Sequence, residues 1–474
     1  MAKTITPEIC VLGAGSAGLS VAAGASQLGA ETVLIERGKM GGDCLNYGCV
    51  PSKSLLVAAK AAKAHALAAT LGVRLAPPRV DFRAVHDHVH GVIAAIAPQD
   101  SVERFEGLGV TVVRAAARFV GPREVEAGEA RIRARRFVVA TGSQPLVPPI
   151  PGLEEASYLT NETVFDLTER PAHLIVIGGG PIGCELGQAF RLLGSEVSIV
   201  EMARIMPKDD PELVDILRER LRADGIRLFE GAKVVGVARA GDGVSVELER
   251  DGAAQSITGS DLLVAAGRTP TVESLGLEAA GIEYDRRGIK VDSRLRTTNR
   301  RVFAAGDVSG GYQFTHTAGH HAGVVLRNVL FRLPAKVDTR AVPWVTYTDP
   351  ELAHVGLGEE DARTAQGRIR ILRWPFAEND RAQAERHTDG LVKVIATPRG
   401  KVLGASILGR HAGELIQPWI LAIAQGIKLS AVAQMIAPYP TLGEVNKRAA
   451  GSFYAPKLFS ERTKFLVRLL ARLG

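Results

Sequence analysis

The chain has 474 residues, of which 46% are hydrophobic and 23% charged, and its net charge is +7. This length exceeds what one hydrophobic core accommodates and predicts about three domains, while the composition excludes a disordered protein. Arg and Lys are interleaved with acidic residues and form no aromatic-plus-basic stripe, so nucleic-acid binding is not expected.

Hydropathy and cysteine usage indicate where the protein works. The longest apolar run, 419–427, is interrupted by Gln425 and is shorter than the roughly 20 residues that span a bilayer. The first glycine-rich motif begins at Gly13, which leaves no room for a signal peptide before it. We therefore expect a cytoplasmic protein. Two of the four cysteines, Cys44 and Cys49, are five residues apart, and in a reducing compartment such a pair indicates redox chemistry.

The first predicted unit is a strand over 9–12, a glycine-rich turn, a helix through residue 28 and a second strand over 32–35. Its turn has the GxGxxG pattern, with Gly13, Gly15 and Gly18, and its second strand ends on Glu36. This order is the dinucleotide-binding fingerprint: the glycines permit a tight turn and close approach to a pyrophosphate, and the acid accepts ribose hydroxyls.

The cysteine pair follows this unit along the chain. Only seven residues separate Glu36 from Cys44, which lets the chain run from an adenosine ribose toward the reactive ring of a dinucleotide. After Cys49 we predict an Ala-rich helix over 54–67, with Pro51 suited to its first turn. A cysteine at a helix N-terminus near a cation has a lowered pKa. Cys10 and Cys184 fall inside the Rossmann elements and are interpreted as packing residues.

The same unit occurs a second time. Strands over 174–177 and 197–200 flank a second turn with Gly178, Gly180 and Gly183, and the acid is Glu201. The spacing from first glycine to acid is 23 residues in both units. Two such sites predict two dinucleotides, a flavin and a nicotinamide cofactor. A carboxylate at Glu201 would repel a 2′-phosphate and favours NADH over NADPH, although Arg204 weakens that preference.

At this point a family resemblance is apparent. The segment from Gly41 to Lys53, with Cys44 and Cys49, resembles the redox-disulfide signature of the class I pyridine nucleotide–disulfide oxidoreductases, which include dihydrolipoamide dehydrogenase, glutathione reductase and mercuric reductase. The segments 138–142 and 263–268 match the crossover strands of that family, 302–307 its second FAD motif, and 345–351 the start of its interface domain. The resemblance covers nearly the whole chain.

The resemblance implies a mechanism and a set of site residues. NADH would reduce FAD, Cys49 would take the electrons as the flavin-proximal thiolate, and Cys44 would be the thiol that meets substrate. Lys53 would lie beside the flavin ring, paired with Glu185. Further implied contacts are Thr141, Gly142, Asp307 and Ala318 for FAD, Gly267 for the nicotinamide cofactor, and the backbone near Ala117 for FAD and Val234 for NADH.

One position departs from the disulfide-reducing members. They carry a His five residues before a Glu, contributed across a homodimer, whereas this chain has Tyr439 before Glu444. A phenol with a pKa near 10 does not shuttle protons at pH 7 as an imidazole does, so turnover of lipoamide or glutathione should be poor. Mercuric reductases also have Tyr there, but they carry a C-terminal cysteine pair that this chain lacks. His316 is considered as partial compensation, against a capping or packing role, and His320 and His321 are interpreted as ordinary helix residues.

These features predict an α/β chain with two Rossmann-like dinucleotide-binding domains and an α+β C-terminal dimerisation domain. The expected boundaries are 1–152 for the FAD domain with the redox disulfide, 153–278 for the NAD domain, 279–341 for the return segment of the FAD domain and 342–474 for the interface domain. The expected activity is NADH-dependent reduction of a soft metal ion or a disulfide. The alternatives are a dihydrolipoyl dehydrogenase serving a lipoyl protein and a flavoprotein that binds without turnover. A basic amphipathic helix over 459–473 is expected to dock on the dimer, and membrane contact is not favoured.

Overall fold

The computed structural model describes residues 3–473. The first part of the chain alternates strands and helices before a group of short strands: β1 (Lys3–Ile5), β2 (Ile9–Leu12), α1 (Ser16–Gln27), β3 (Thr32–Ile35), α2 (Gly42–Asn46), α3 (Cys49–Thr70), α4 (Phe82–Ile96), α5 (Val102–Gly107), β4 (Val110–Val113), β5 (Ala117–Gly121), β6 (Glu124–Ala127), β7 (Ala130–Ile132), β8 (Arg136–Val139) and β9 (Ser143–Pro145).

The middle part repeats the alternation. Its elements are β10 (His173–Ile177), α6 (Pro181–Leu192), β11 (Glu196–Glu201), α7 (Pro211–Ala223), β12 (Arg227–Glu230), β13 (Ala232–Ala240), β14 (Gly243–Arg250), β15 (Ala253–Gly259), β16 (Asp261–Val264), β17 (Arg268–Pro270), β18 (Tyr284–Asp285), β19 (Gly288–Ile289), β20 (Val302–Ala304) and α8 (Thr315–Val329).

The last part combines an antiparallel sheet with helices. Its elements are β21 (Pro343–Thr346), β22 (Glu351–Gly356), α9 (Glu359–Gln366), β23 (Arg370–Pro375), α10 (Asp380–Glu385), β24 (Leu391–Ala396), β25 (Val402–Gly409), α11 (Ala412–Leu415), α12 (Gln417–Gln425), α13 (Leu429–Gln434), α14 (Glu444–Ser452), α15 (Ala455–Leu458) and α16 (Glu461–Leu470).

The first Rossmann unit is built on a five-stranded parallel sheet in the order β20-β8-β2-β3-β4. Alternate residues of a strand point to opposite faces, and both faces of this sheet are covered. Ile9 and Val11 therefore join the core cluster that contains α1 and α8, while Cys10 and Leu12 join a second cluster on the other face. Cys10 is fully buried, which confirms its packing role.

The second Rossmann unit repeats this arrangement. Strands β11, β10 and β16 pair in parallel, and α6 follows β10 as α1 follows β2. Cys184, in α6, is fully buried and is a packing residue as expected. The antiparallel sheet β13-β14-β15 adds its inward side chains to the same core as β10 and β16.

The chain forms two compact units. The first contains the residues up to 62, 77–202 and 229–337; the second contains 63–76, 203–228 and the residues from 338 onward. The second unit is organised around the antiparallel sheet β21-β22-β25-β24-β23. Trp419 is fully buried in its core and donates from Nε1 to Oδ1 of Asn446, 2.7 Å away. The domain boundaries predicted from the sequence are defined by motifs, whereas these two units are defined by compactness. The predicted boundaries therefore stay a prediction.

A buried charge cluster holds the segment 203–228 within the second unit. Lys393, only 4% exposed, lies 2.8 Å from Asp210 and 2.9 Å from Glu359. Nearby, Trp344 donates from Nε1 to Asp209 at 2.8 Å. Burial raises the pKa of Asp209 to about 6.

Two predicted helix boundaries were wrong. Helix α3 begins at Cys49, five residues before the predicted start, because Pro51 lies within the first turn, where a backbone N–H has no partner inside the helix. The tail helix α16 is shorter than predicted, since Ser460 ends the preceding turn and accepts a hydrogen bond from Thr463 N at 3.3 Å. Its apolar residues Phe465, Leu466, Leu469 and Leu470 are exposed. Between residues 3 and 473, no helix is long and apolar enough to cross a membrane.

Candidate functional site

The glycines of the first motif are required by close backbone contacts. Gly13 has φ +105°, and a Cβ there would lie 2.4 Å from the carbonyl oxygen of Ala140. A Cβ on Gly18 would lie 1.8 Å from the carbonyl oxygen of Gly13, so no side chain fits. A Cβ on Gly15 would have only the Cα of Gly42 within 4.0 Å. The middle glycine therefore faces the space in which a pyrophosphate would approach the helix N-terminus.

The second motif repeats these contacts position by position. Gly178 has φ +112°, and its Cβ would lie 2.4 Å from the carbonyl oxygen of Ala265. A Cβ on Gly183 would lie 1.9 Å from the carbonyl oxygen of Gly178, whereas Gly180 has nothing within 4 Å. The two turns are therefore equivalent cradles, and both fit a dinucleotide pyrophosphate.

The acids that end the second strands bind their own glycine turns. Glu36 accepts from the backbone N–H of Ala14 at 2.6 Å, and Glu201 accepts from the backbone N–H of Gly179 at 2.7 Å. Each carboxylate thus lies at the edge of its cradle, the position from which it could accept ribose hydroxyls.

The cysteine segment lies against the first cradle. A Cβ on Gly42 would be 2.7 Å from the Cα of Gly15, so the backbones of the two segments touch there. Cys44 lies in the short helix α2, and Cys49 is the first residue of α3. Both are free thiols in this structure, and the sequence correctly indicates that Cys49 lies at a helix N-terminus.

The pKa values of the two thiols are shifted in opposite directions. A hydrogen bond from Cys44 lowers the pKa of Cys49 to about 6; the hydroxyl of Thr315 and the charge of Lys53 act in the same direction, while burial and Asp43 oppose them. The same hydrogen bond to Cys49, with burial, raises the pKa of Cys44. Thr315 lies 3.5 Å from the Cys49 sulfur through its Oγ1. Cys49 is therefore the sulfur that holds a negative charge near neutral pH, and Cys44 holds the proton.

An ion pair joins the cysteine helix to the second Rossmann helix. Lys53, one turn after Cys49 in α3, lies 2.7 Å from Oε2 of Glu185 through its Nζ. Glu185 is in α6 and its side chain is 7% exposed. This is the pairing that the resemblance implies for these two residues.

Arg268 lies at the centre of a polar network that reaches the cysteine segment. Its side chain is 13% exposed, and its Nη2 is 3.1 Å from Oδ1 of Asp43, the residue before Cys44. Its Nε donates at 2.8 Å to Oγ of Ser143, which donates at 2.5 Å to Asp307. Burial raises the pKa of Asp307, although Ser143 and Arg268 oppose this.

The remaining predicted FAD and nicotinamide contacts lie at element boundaries. Thr141 donates from Oγ1 to Thr271 O at 2.8 Å; Gly142 and Gly267 have φ +70° and +133°. Ala318 is buried in α8. Ala117 begins β5, and Val234 lies in β13 at a register shift. These contacts stay predictions.

The histidines of α8 differ from one another. His316 is exposed and its ring stacks on Phe314 with centroids 5.2 Å apart. His321, interpreted from sequence as an ordinary helix residue, is instead buried and accepts from the backbone N–H of Gly306 at 3.2 Å through Nδ1. Burial lowers the pKa of His321 to about 4. His321 therefore stays neutral and supports the turn before Asp307, a role that helical spacing alone did not reveal.

Tyr439 has a specific partner in the second unit. Its hydroxyl donates to Oδ2 of Asp380 at 2.9 Å, and this hydrogen bond raises the pKa of Tyr439, with a smaller contribution from Glu444. The neighbouring Asn379 is buried and donates to the carbonyl of Thr441 at 3.1 Å. Tyr439 thus stays protonated at neutral pH on a loop that residues 379–380 hold in place.

Sequence reasoning missed four polar residues of these networks. Thr315, Arg268, Ser143 and Asp380 belong to no catalytic motif, and only Arg268 lies in a matched segment. Their partners are far away along the chain, so only the folded structure brings them together.

Two equivalent nucleotide cradles, joined by a dithiol and a lysine–carboxylate pair, define a flavin- and pyridine-nucleotide-dependent oxidoreductase. Family comparison agrees: residues 7–322 match the model "Pyridine nucleotide-disulphide oxidoreductase" and residues 342–450 its dimerisation domain. The chain belongs to the pyridine nucleotide-disulphide oxidoreductase family. The family uses FAD and a pyridine nucleotide, and the dimerisation domain supports a homodimer.

Similar curated proteins are named for different activities. The chain is similar to a mercuric reductase of Bacillus cereus (36% identity over 94% of this chain and 71% of the relative) and to a dihydrolipoyl dehydrogenase of Thermus scotoductus (37% identity over 95% and 98%). A solved structure of similar fold is the HOCl-induced flavoprotein disulfide reductase RclA from Escherichia coli, with a TM-score of 0.85 and 28% identity over 94% of this chain and 99% of that chain.

Proposed function

We propose that the protein uses NADH to reduce a soft metal ion through FAD and the pair Cys44 and Cys49, as a mercuric-reductase-like enzyme. The observation that carries this proposal is Tyr439, whose hydroxyl is bound to Asp380 at the position where disulfide reductases hold a histidine. A phenol with a raised pKa does not accept a proton at pH 7, but a thiolate pair is a good ligand for a soft cation. Metal chemistry needs no proton shuttle at this position.

The comparisons support a metal substrate without establishing one. Four similar curated proteins, from 34% to 36% identical, are named mercuric reductases. A second structure of RclA, with a TM-score of 0.84 and 28% identity, is a Cu(II) complex. Hg(II) and Cu(II) are therefore the first ions to test.

In this proposal the chain's own residues carry out distinct tasks. Bound FAD would supply two-electron chemistry between the pyridine nucleotide and the thiols. Cys49, at the N-terminus of α3 and near Lys53, is the residue that forms the thiolate. Cys44 holds the proton until substrate arrives. Glu185 orients Lys53. Tyr439 and Glu444 would complete the site of the partner subunit, with Tyr439 as a protonated donor.

The preference for NADH rests on Glu201. Its carboxylate lies beside the second cradle, where it would repel a 2′-phosphate. Arg204, three residues later along the chain, weakens this preference. We expect kcat/KM for NADH to exceed that for NADPH by at least about tenfold.

The second candidate is a dihydrolipoyl dehydrogenase. It is favoured by the 37% identity to the Thermus scotoductus enzyme, which spans 95% of this chain. It requires proton transfer at a position where this chain has Tyr439. Strong turnover of dihydrolipoamide with NAD would establish this candidate against the metal proposal.

The test is an anaerobic titration of the FAD-loaded protein with NADH, followed by single additions of Hg(II), Cu(II), oxidised lipoamide or glutathione disulfide. We expect a long-wavelength charge-transfer band at two electrons, absent in Cys49→Ser, and fastest discharge by a metal ion. Flavin bleaching without the band would contradict the thiol relay. Fastest discharge by lipoamide would contradict the metal substrate while leaving the relay intact.

A further inference from the structure

The guanidinium of Arg268 contacts three separate segments of the first compact unit. Its Nη2 lies 3.1 Å from Asp43 and donates to the carbonyl of Ser143 at 2.9 Å, while its Nε donates to the Ser143 hydroxyl at 2.8 Å. Its Nη1 is 3.5 Å from Oδ1 of Asn161. A planar guanidinium presents its donors in a fixed fork. Arg268 therefore fixes the relative positions of the segments that it contacts.

The network continues from Arg268 to the flavin-binding segment. Ser143 accepts from Arg268 and donates to Oδ2 of Asp307 at 2.5 Å. One partly buried cation is thus linked to two carboxylates, directly to Asp43 beside the cysteines and through Ser143 to Asp307 in the second FAD motif. Removing the cation would leave both carboxylates with less charge compensation.

Asn161 binds the cysteine helix at its two ends. It is 6% exposed, and its Nδ2 donates to Asp43 at 3.1 Å and to the carbonyl of Tyr47 at 3.2 Å. Asp43 is the second residue of α2, and Tyr47 directly follows the last. The short helix that carries Cys44 is therefore held by Asn161, which Arg268 also contacts.

The charge of Asp43 acts on the thiols. Asp43 raises the pKa of both Cys44 and Cys49, whereas Lys53 lowers that of Cys49. A positive group paired with Asp43 screens this repulsion. The network therefore has an electrostatic consequence in addition to holding the loop.

We propose that Arg268 is a positioning residue of the redox site: it ties the helix of Cys44 to Asp307 through Ser143 and offsets the charge of Asp43 beside the two cysteines. This inference rests on the proposed relay through Cys44 and Cys49. Reduction of the disulfide takes two electrons and, with Cys49 as thiolate, one proton. The reduced state is therefore the more negative one, and Arg268 stabilises it.

The test compares Arg268→Met, Asp43→Asn and the double variant as FAD-loaded, full-length protein. Charge-transfer absorbance after two-electron reduction is measured at pH 6, together with the midpoint potential of the dithiol–disulfide couple. We expect Arg268→Met to lower the absorbance about twofold and to lower the potential. Asp43→Asn should raise both, and the double variant should return toward the parent. Arg268→Lys should keep part of the effect.

Charge compensation predicts that Arg268→Met and Asp43→Asn change the absorbance and the potential in opposite directions. A purely structural role would lower the absorbance in both variants. Arg373→Met is the matched control, because it breaks an arginine–carboxylate pair with Glu212 in the other compact unit and should move neither readout. Changes in the same direction in both single variants would overturn the inference. If Arg268→Met fails to fold, Asp43→Asn alone still tests it, because this variant should raise both the absorbance and the potential. Absence of the band from the parent protein would instead contradict the proposed relay.

Discussion

Nζ of Lys53 lies 2.7 Å from Oε2 of Glu185, so an ion pair connects the helix that begins at Cys49 to the helix of the second nucleotide cradle. The carboxylate side chain is 7% exposed and the lysine 36%. Glu185 therefore lies in the protein interior, whereas Lys53 is partly exposed to solvent. Lys53 also acts on Cys49, because its charge contributes to the lowered pKa of that thiol.

Lys53→Met should destabilise the protein more than the double variant Lys53→Met/Glu185→Gln. The single change removes the ammonium that is paired with the buried carboxylate of Glu185, whereas the double change also removes the negative charge of that carboxylate. We expect a loss of about 1–3 kcal/mol for the single variant, measured by urea unfolding of the FAD-loaded protein. Lys290→Met, in an exposed pair with Glu283, is the control and should change stability little. Equal losses in the single and double variants would contradict the argument.

The thiolate of Cys49 should disappear as the pH falls through about 6. Its pKa is lowered to that value, partly by the Thr315 hydroxyl, so the charge-transfer band of the reduced enzyme is expected above this pH and is lost below it. Thr315→Val should move the midpoint of the titration to higher pH. The control is Thr317→Val in the same helix, since the buried Thr317 hydroxyl finds no hydrogen-bond partner within the described residues. A common midpoint for both variants would show that Thr315 does not stabilise the thiolate.

Tyr439→His should increase lipoamide turnover by about 10²-fold, a typical contribution of general acid–base catalysis. The imidazole would replace a phenol that Asp380 keeps protonated. Turnover is measured as NADH oxidation with oxidised lipoamide, and Tyr439→Phe, which adds no titratable group, should show no gain. An unchanged rate in Tyr439→His would mean that another step limits disulfide reduction.

Asp209→Asn should stabilise the protein increasingly as the pH rises from 4 to 7. Burial raises the pKa of Asp209 to about 6, so the folded state binds its proton more tightly than the unfolded state does and loses stability as the pH rises through this window. The gain should approach about 3 kcal/mol above pH 6, and Asn keeps an oxygen that accepts from Trp344. Thermal unfolding at pH 4 and pH 7 checks this, and a difference independent of pH would contradict it.

The sequence predicted the cradles closely because their contacts are local. Strands over 9–12 and 32–35 were confirmed, and Gly18 and Gly183 are required by contacts with the carbonyl oxygens of Gly13 and Gly178 in their own turns. A repeated motif at constant spacing carries this information by itself. The family, fold class and enzyme class followed from this repeat together with the cysteine segment 41–53, and they were confirmed.

Contacts between distant segments were not predictable in the same way. Arg268 lies over 200 residues from Asp43, and His321 supports Gly306 from inside a helix whose pattern shows only periodicity. Tyr439 was singled out for its residue type, but its partner Asp380 depends on how the start of α10 meets the loop before α14. Such pairs follow from packing, and no single segment of the sequence indicates them.

The hydrogen bonds from each glycine turn to its own acid have a consequence for nucleotide exchange. Glu36 and Glu201 already hold the backbone N–H groups of Ala14 and Gly179. The turns therefore keep their shape before any ligand arrives, and less conformational entropy is lost on binding. For a nucleotide that must enter in every catalytic cycle, a cradle that keeps its shape between binding events lowers the entropic cost of each one.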